Sequence, residues 1–539
     1  MTDSLLYRAN RIPERNRRQF LALLDLPLRP AAAAQGLVTF SNPRGSLTVH
    51  TLPDALTVSA GSIPFRTQDG LDVLPLEAMA YYKQTVDEQT LGTQKTAYEE
   101  VYASLLEPGD KLTYYETVPL AAPVNGAVYP EVDLDRITNK SLWLALLARS
   151  AEEVEDTRKL IANKTLTLGI LPVLASDNVA LTKVMYPAGT EVAALSRLVY
   201  EMPKVGDSLL PDDPRQRVPQ YEQLPNVPSG DLLAEPGVVE IRLPDVAGLR
   251  LWQNMEPAEA GTADFPPVIE DTETAVRLIT WLRIRLQSAA VTAQDAPQLR
   301  GRLSWVGINA ARVTQRVRVF AENLGRGSGE PDQSVTLINT PVIPDSVTLT
   351  VGGETWTEVN DLLAAAPEVP LTLLPGSRTA PPQRRQNDSR VFAVDYESGT
   401  IRCGDGLRGM RWPRNAILRA TYDYGGGRQG NVGIGAITKA TTLPNGVKAT
   451  NPIRTWGGDE AETVAAAEKR IPAYLQHRDR LVSDADFGEI IEQTPGVEIG
   501  RHNVLSLVHP NITDADAPGV VTIVVIPAHD PLHPNAPQP

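Results

Sequence analysis

Gly425-Gly426-Gly427-Arg428-Gln429-Gly430 has the GxGxxG spacing that lets backbone amides approach a pyrophosphate, and it follows a strand-like run, AILRATYDY. A dinucleotide site also needs a helix directly after the glycines, with its N-terminus turned to the phosphates. The chain continues NVGIGAITKATTLP, whose β-branched residues, Gly433 and Gly435 disfavour a helix, and the next acid that could meet a ribose is Asp459. A glycine-rich hairpin or bulge is the better reading. His477-Arg478-Asp479 imitates a kinase catalytic loop, but the position that should hold asparagine is Asp484, and no DFG or glycine loop accompanies it. His529 and His533 have the spacing of zinc ligands on one helix face, yet Pro531 lies between them in a proline-rich end. Gly325-Arg326-Gly327-Ser328-Gly329 misses the nucleophile-elbow pattern, and Ser328 has no histidine to activate it. Trp252, Trp281, Trp305 and Trp356 could stack on sugars, but each stands in an apolar run and reads as core. The sequence therefore nominates no catalytic residue, no cofactor site and no metal site.

The composition narrows the remaining classes. With 539 residues the chain exceeds what one core fills, so several domains are expected. No apolar run is long enough to span a bilayer, and the N-terminal segment has arginines where a secretory signal would have an apolar stretch. A cytoplasmic site of synthesis and no membrane insertion follow as expectations. Cys403, the single cysteine, cannot form an internal disulfide and suits a reducing compartment. A net charge of −14 opposes binding to nucleic acid, which requires local positive charge. The basic exception is the opening stretch with Arg8, Arg11, Arg15, Arg17 and Arg18, suited to an acidic neighbour or to a solvated helix face.

The elements that would position these residues can be read from periodicity. NRRQFLALLDLPLRP places Phe20, Leu21, Leu23 and Leu24 at helical spacing and should stop at Pro27. LVTFS, SLTVH, ALTVSAG and SIPF alternate as short strands. TAYEEVYASLL and SLWLALLARSAEEVEDTRKLIA return to a helical period, the second with Leu144, Leu147, Ala148 and Ala151 on one stripe. Strands then dominate from LTLGILPVL through AILRATYDY, and Gly404-Asp405-Gly406 predicts a tight hairpin turn. Near the end, Asp459 with Glu462 and Ser483 with Asp486 each have the spacing that caps a helix, and VVTIVVIP offers a last strand.

The predicted fold class is α+β and multidomain. The segments are 1–90, an N-terminal helix with a small β unit; 91–163, helical; 164–290, a β-rich inserted module; 291–450, a β-rich core of sandwich-like modules; and 451–539, an α+β unit with a proline-rich end.

The stretch VDYESGTIRCGDGLRGMRWPRNAILRATYDYGGGRQGNVGIGAI resembles the signature region of the baseplate J-like proteins, in particular their baseplate assembly group: a strand, a Gly-Asp-Gly turn, another strand and a GGG-x-x-GNV loop. WLRIRL, WVGINA and LGRGSGEPDQSVTLINTPVI resemble the same family. So does NPIRTWGGDEAETVAAAEKRIPAYLQHRDRLVSDADFGEIIEQTPGVEIGRHNV, in the family's order, and FLALLDLPLRPA and IPFRTQDGLDVLP are similar too. The resemblance covers most of the chain and is densest from Trp281 to Val504. Cys403 stands where relatives usually carry an aromatic, and relatives commonly continue past the proline-rich segment.

The resemblance implies a structural wedge component of a contractile injection machine, with an extracellular injection particle favoured over a phage tail. Its implied partners are a second wedge protein, neighbouring wedge copies, the spike hub, a sheath-adaptor protein and tail fibres. It implies synthesis and assembly in the cytoplasm, then incorporation into a particle released on lysis. The interface residues nominated are Arg11, Arg15 and Arg18 for the wedge core and Arg478 and Arg480 for a neighbour. An adhesin or a glycosidase on β modules is the competing class. The first lacks a visible export route, and the second lacks a positioned pair of carboxylates.

Overall fold

The computed structural model describes residues 17, 20, 21, 24, 28–92, 94–102, 112–120, 130–173, 196–204, 210, 217–233, 235–252, 254–256, 259–288, 301–368, 389–440, 442–477, 480–492, 499–508 and 516–527. Four large sheets carry the described residues. The first runs in the order 439–440, Thr57–Ala60, Ile63–Thr67, Ala310–Thr314, Gln35–Ser41, Lys448–Thr450. The second has Asn226–Pro228, Gly237–Arg242, Thr165–Pro172, Arg302–Ile308 and Val132–Asp133. The third has Tyr221–Gln223, Ser196–Pro203, Leu278–Ser288, Ser141–Leu147, Glu77–Thr85 and Tyr115–Pro119. The fourth runs Val317–Arg326, Ile417–Tyr424, Thr348–Val351, Glu354–Glu358, Val391–Asp395, Thr400–Cys403, Ser334–Thr336, with one parallel pairing, at Thr357 and Val391. The third sheet thus draws strands from three of the five segments marked off in the sequence.

Among the described residues the helices are few: α1 (Gln94–Tyr102), α2 (Val154–Ile161), α3 (Val464–His477) and α4 (Asp484–Glu492) exceed one or two turns. With 40% strand and 13% helix, the chain is mostly β: the β-rich part of the α+β expectation is present, and the helical share is smaller than expected. The decisive difference is in the segment expected to be helical. Ser141–Leu147 is a strand, and all seven of its residues are buried. Leu142, Leu144 and Leu146 enter the core shared by the second and third sheets, while Trp143, Ala145 and Leu147 enter an aromatic cluster on the opposite face. A strand covered on both faces has no polar alternation, so its apolar run looks helical. Leu144 and Leu147, placed on one helical stripe, point to opposite sides. LRLWQ is strand-like in sequence as well, yet residues 249–252 form no strand, and Trp252 is buried in a loop.

The α3 start is also different from its expected cap. Asp459 Oδ1 instead accepts from Arg428 Nε at 3.0 Å, and Thr463 Oγ1 accepts the Ala466 amide at 3.3 Å. At α4 the expected box is present: Ser483 Oγ accepts from Asp486 N at 3.3 Å, and Asp486 Oδ2 accepts from Ser483 N at 2.7 Å. Ser483→Ala should therefore weaken the first turn of α4 by about 1 kcal/mol, read as roughly fivefold faster hydrogen exchange of its amides.

Candidate functional site

The glycine run forms a buried crossing of several chain segments. Gly425, Gly426 and Gly427 have φ of 140°, 103° and 94°, values that favour glycine over any residue with a Cβ. The Gly427 amide donates to Ala32 O at 3.1 Å, and Ala32 pairs through both its backbone groups with Asp459 at 3.0 and 3.1 Å. Gln35 and Trp456 pair in the same way at 2.7 and 2.8 Å. Gln315 ties the crossing from beneath: its Nε2 donates to Gly426 O at 3.0 Å and its Oε1 accepts from Ala34 N at 3.3 Å. Asn431 closes the loop on Gly458 by donating from Nδ2 at 2.8 Å and accepting at Oδ1 at 2.9 Å. Thr455 and Asn451 continue these bonds to Val432 N at 2.6 Å and Ile437 N at 2.8 Å.

This arrangement decides what the GxGxxG spacing can do. A single 3-10 turn, Arg428–Gly430, follows the glycines, so no helix N-terminus is offered to a phosphate. The Arg428 amide, a natural anion donor, is already bonded to Glu460 Oε1 at 2.9 Å. A Cβ on Gly430 would lie 2.0 Å from Gln315 Oε1, so the space is filled by the chain itself. The expected hairpin or bulge is corrected as well: the run is a junction joining the fourth sheet, residues 31–35 and residues 451–460.

The other motifs resolve as follows. Gly404-Asp405-Gly406 does turn, with Asp405 Oδ1 accepting from Leu407 N at 2.8 Å and Arg408 N at 2.7 Å, but the next strand begins only at Ile417, so the tight hairpin is absent. The hairpin lies one strand earlier, between Val391–Asp395 and Thr400–Cys403, with Gly399 at φ 67°. Ser328 is exposed and donates to Gln333 Oε1 at 2.9 Å, a turn contact. Trp252, Trp281, Trp305 and Trp356 are all buried, as core residues should be. Cys403 is buried beside Phe392 and Trp412, and burial pushes its thiol pKa up. His529 and His533 lie outside the described residues, as do Arg478 and Asp479 of the histidine triplet. Among the described residues no cluster of His, Cys, Asp or Glu is placed to hold a metal, and no helix is long and apolar enough to cross a membrane.

Of the nominated interface residues, Arg11, Arg15, Arg18 and Arg478 lie outside the described residues, and Arg480 is exposed just after α3. Their neighbourhood is visible. Leu21 is buried against Val464 and Ala467 of α3, with Leu24, Leu28 and Ile471 packed around them, and Arg17 pairs with Glu468.

One charged cluster escaped the sequence reading. Lys83 is fully buried in the third sheet, and its Nζ donates to the carbonyls of Gly261, Ala263 and Phe265 at 2.8, 3.0 and 2.7 Å. Burial pushes its pKa down from 10.5 to about 7, against the attraction of Asp264. Arg283 stacks 3.5 Å from the Tyr221 ring centroid and donates from Nε to Glu201 Oε2 at 2.8 Å, while Arg285 binds the same carboxylate through Nη2 at 2.8 Å. Burial pushes Glu201 up, but bonding to Arg285 and the charge and bonding of Arg283 outweigh it and hold the carboxyl below its ordinary range. Around them Trp281, Trp143, Tyr221, Trp252 and Phe265 follow one another at 5.7–6.3 Å. Every charge in this cluster is matched by a fixed protein partner, which describes a brace between the third sheet and the 261–265 loop.

A cleft of about 200 Å³ between the first and second sheets is lined in part by Asp69, Thr167, Glu240 and Arg312. The Arg312 guanidinium is held through Nη2 by Asp69 Oδ2 at 2.9 Å.

No family model matches the sequence, and no curated protein matches it. Among solved structures, a chain in the cryo-electron-microscopy structure of the type VI secretion system TssK-TssF-TssG baseplate subcomplex is similar, with a TM-score of 0.40 and 9% identity over 97% of this chain and 86% of that one.

Proposed function

We propose that this chain is a structural assembly protein without catalysis of its own. More particularly, we read it as a wedge component of the baseplate of a contractile injection particle. The observation that carries the reading is the use made of the family-like residues. Gly425 to Val432 and Asn451 to Glu460, within the region of densest resemblance, spend their hydrogen bonds on one another, on residues 31–35, on Gln315 and Pro341, and on residues 433–437. Motifs kept for joining segments suit a rigid part of an assembly. Motifs kept for a substrate would leave donors facing a cavity.

In this reading the partners are a second wedge protein, neighbouring wedge copies, the spike hub, a sheath-adaptor protein and tail fibres. The protein assembles in the cytoplasm and leaves within the particle. The N-terminal arginines, Arg11, Arg15 and Arg18, serve the wedge core from a segment whose visible part docks on α3, and Arg478 with Arg480 meets a neighbour. The test is removal of the chain from the producing cell, with lysates inspected by electron microscopy. Sheathed particles with a complete baseplate should be missing and should return with the wild-type chain. The Arg15→Glu, Arg18→Glu double variant should fold yet fail to restore them. Particles that assemble and contract normally without the chain would overturn the proposal.

A further inference from the structure

Three guanidinium groups converge on one buried carboxylate where the first sheet meets the fourth. Arg66 Nη1 lies 3.8 Å from Asp423 Oδ1, Arg318 Nε 3.6 Å from the same oxygen, and Arg316 Nη1 3.7 Å from Asp423 Oδ2. None of these distances is a hydrogen bond, and Asp423 is the only carboxylate among the described residues within ion-pair reach of any of the three. Three positive charges against one negative leave two uncompensated. The Asp423 side chain is only 6% exposed, whereas those of Arg316 and Arg318 are 38% and 37% exposed, so the surplus faces solvent. Arg316 Nε is buried without a hydrogen-bond acceptor.

The backbone that carries the arginines is set by the sheets before any partner arrives. Arg66 is carried on a strand of the first sheet, Arg318 on the first strand of the fourth, and Arg316 on the two-residue link between the sheets. Beside them stands an apolar group with no cover: Phe320 is 72% exposed, with the Arg318 guanidinium 5.9 Å from its ring centroid. In a chain of net charge −14, a fixed cationic patch next to a bare phenyl ring is a local reversal. Planar guanidiniums with unused donors suit carboxylates, which they can grip in pairs.

We infer that Arg66, Arg316, Arg318 and Phe320 form a docking surface for an acidic polypeptide segment of a partner protein, with carboxylates on the arginines and an apolar side chain on the ring. The inference goes beyond the baseplate reading and concerns this surface alone, so either can fail without the other. Polyphosphate is the less suitable ligand, because the rest of this acidic chain would repel an extended nucleic acid.

The test measures binding of a fluorescent oligoglutamate peptide carrying one leucine to the full chain, by anisotropy across a salt series. The wild type should bind, more weakly as salt rises. The Arg316→Gln, Arg318→Gln double variant should lose about tenfold or more in affinity while its circular dichroism spectrum stays that of the wild type, and Lys159→Gln, which removes an exposed cation on α2, should lose nothing. Phe320→Ser should weaken binding without altering its salt dependence. Asp423→Asn, which frees the patch of its one anion, should tighten it. Equal binding by wild type and double variant would overturn the inference. So would preferential binding of duplex DNA or of phosphatidylserine vesicles that the double variant abolishes.

Discussion

Gly425→Ala should cost about 3–5 kcal/mol, the sum of a disfavoured backbone and a forced clash. At φ 140° the new Cβ would stand 2.5 Å from Gln315 O and 3.2 Å from Arg316 Cα. Neither is the end of a flexible side chain. Gln315 cannot withdraw, because its amide donates to Ala34 O at 2.7 Å and its side chain spans Ala34 and Gly426. Urea unfolding with hydrogen exchange at Ala32, Gln35 and Trp456 reads the effect: these amides should lose protection first. Gly435→Ala is the matched control. Gly435 has φ 70°, but nothing lies within 4 Å of its missing Cβ, so the cost should stay near the ~1 kcal/mol of backbone preference alone. Equal losses at the two positions would mean that the junction is loose.

Lys83→Met should lose about 3 kcal/mol or more at neutral pH, since the carbonyls of Gly261, Ala263 and Phe265 would be left buried without a donor. Its pH dependence is the sharper result. Burial lowers the Lys83 pKa from 10.5 to about 7, so between those values the unfolded chain binds the proton more often than the folded one. Stability contributed at this site therefore rises as pH climbs from about 7 towards 10. The gap between wild type and Lys83→Met should widen over that interval and be smallest below it. Urea titrations followed by fluorescence of the surrounding tryptophans would show it. A gap that is constant with pH would mean that Lys83 keeps its proton throughout, stabilised by its three carbonyls.

Local order was legible in the sequence where the physics is local. Ser483 and Asp486 lie within one turn, and the box they form was readable from spacing. The strands at Gln35–Ser41 and Ile63–Thr67 likewise showed in the alternation of LVTFS and SIPF, and Ile417–Tyr424 in the strand-like run AILRATYDY. Ser141–Leu147 did not, because burial on both faces erases the period that tells strand from helix. Asp459 misled because its carboxylate is taken by Arg428, brought close by the crossing of segments. The Lys83 brace was invisible for the same reason: the first of its carbonyls is 178 residues away in sequence. The same holds for the arginines around Asp423, since Arg66 joins them only through the pairing of Ile63–Thr67 with Ala310–Thr314. Of the glycine run, the absence of a following helix could be read. What the glycines do instead depends on residues 31–35 and 456–460.

The first sheet interleaves residues 35–67 with 310–314 and is finished by 439–440 and 448–450. During synthesis its opening strands must wait for several hundred later residues to leave the ribosome before their edges are sealed. Pairings of such long range form slowly and expose strand edges in the meantime. A nascent polypeptide interrupted before residue 439 cannot seal this sheet, so translation errors of that kind should be cleared as unfinished chains before they meet any partner.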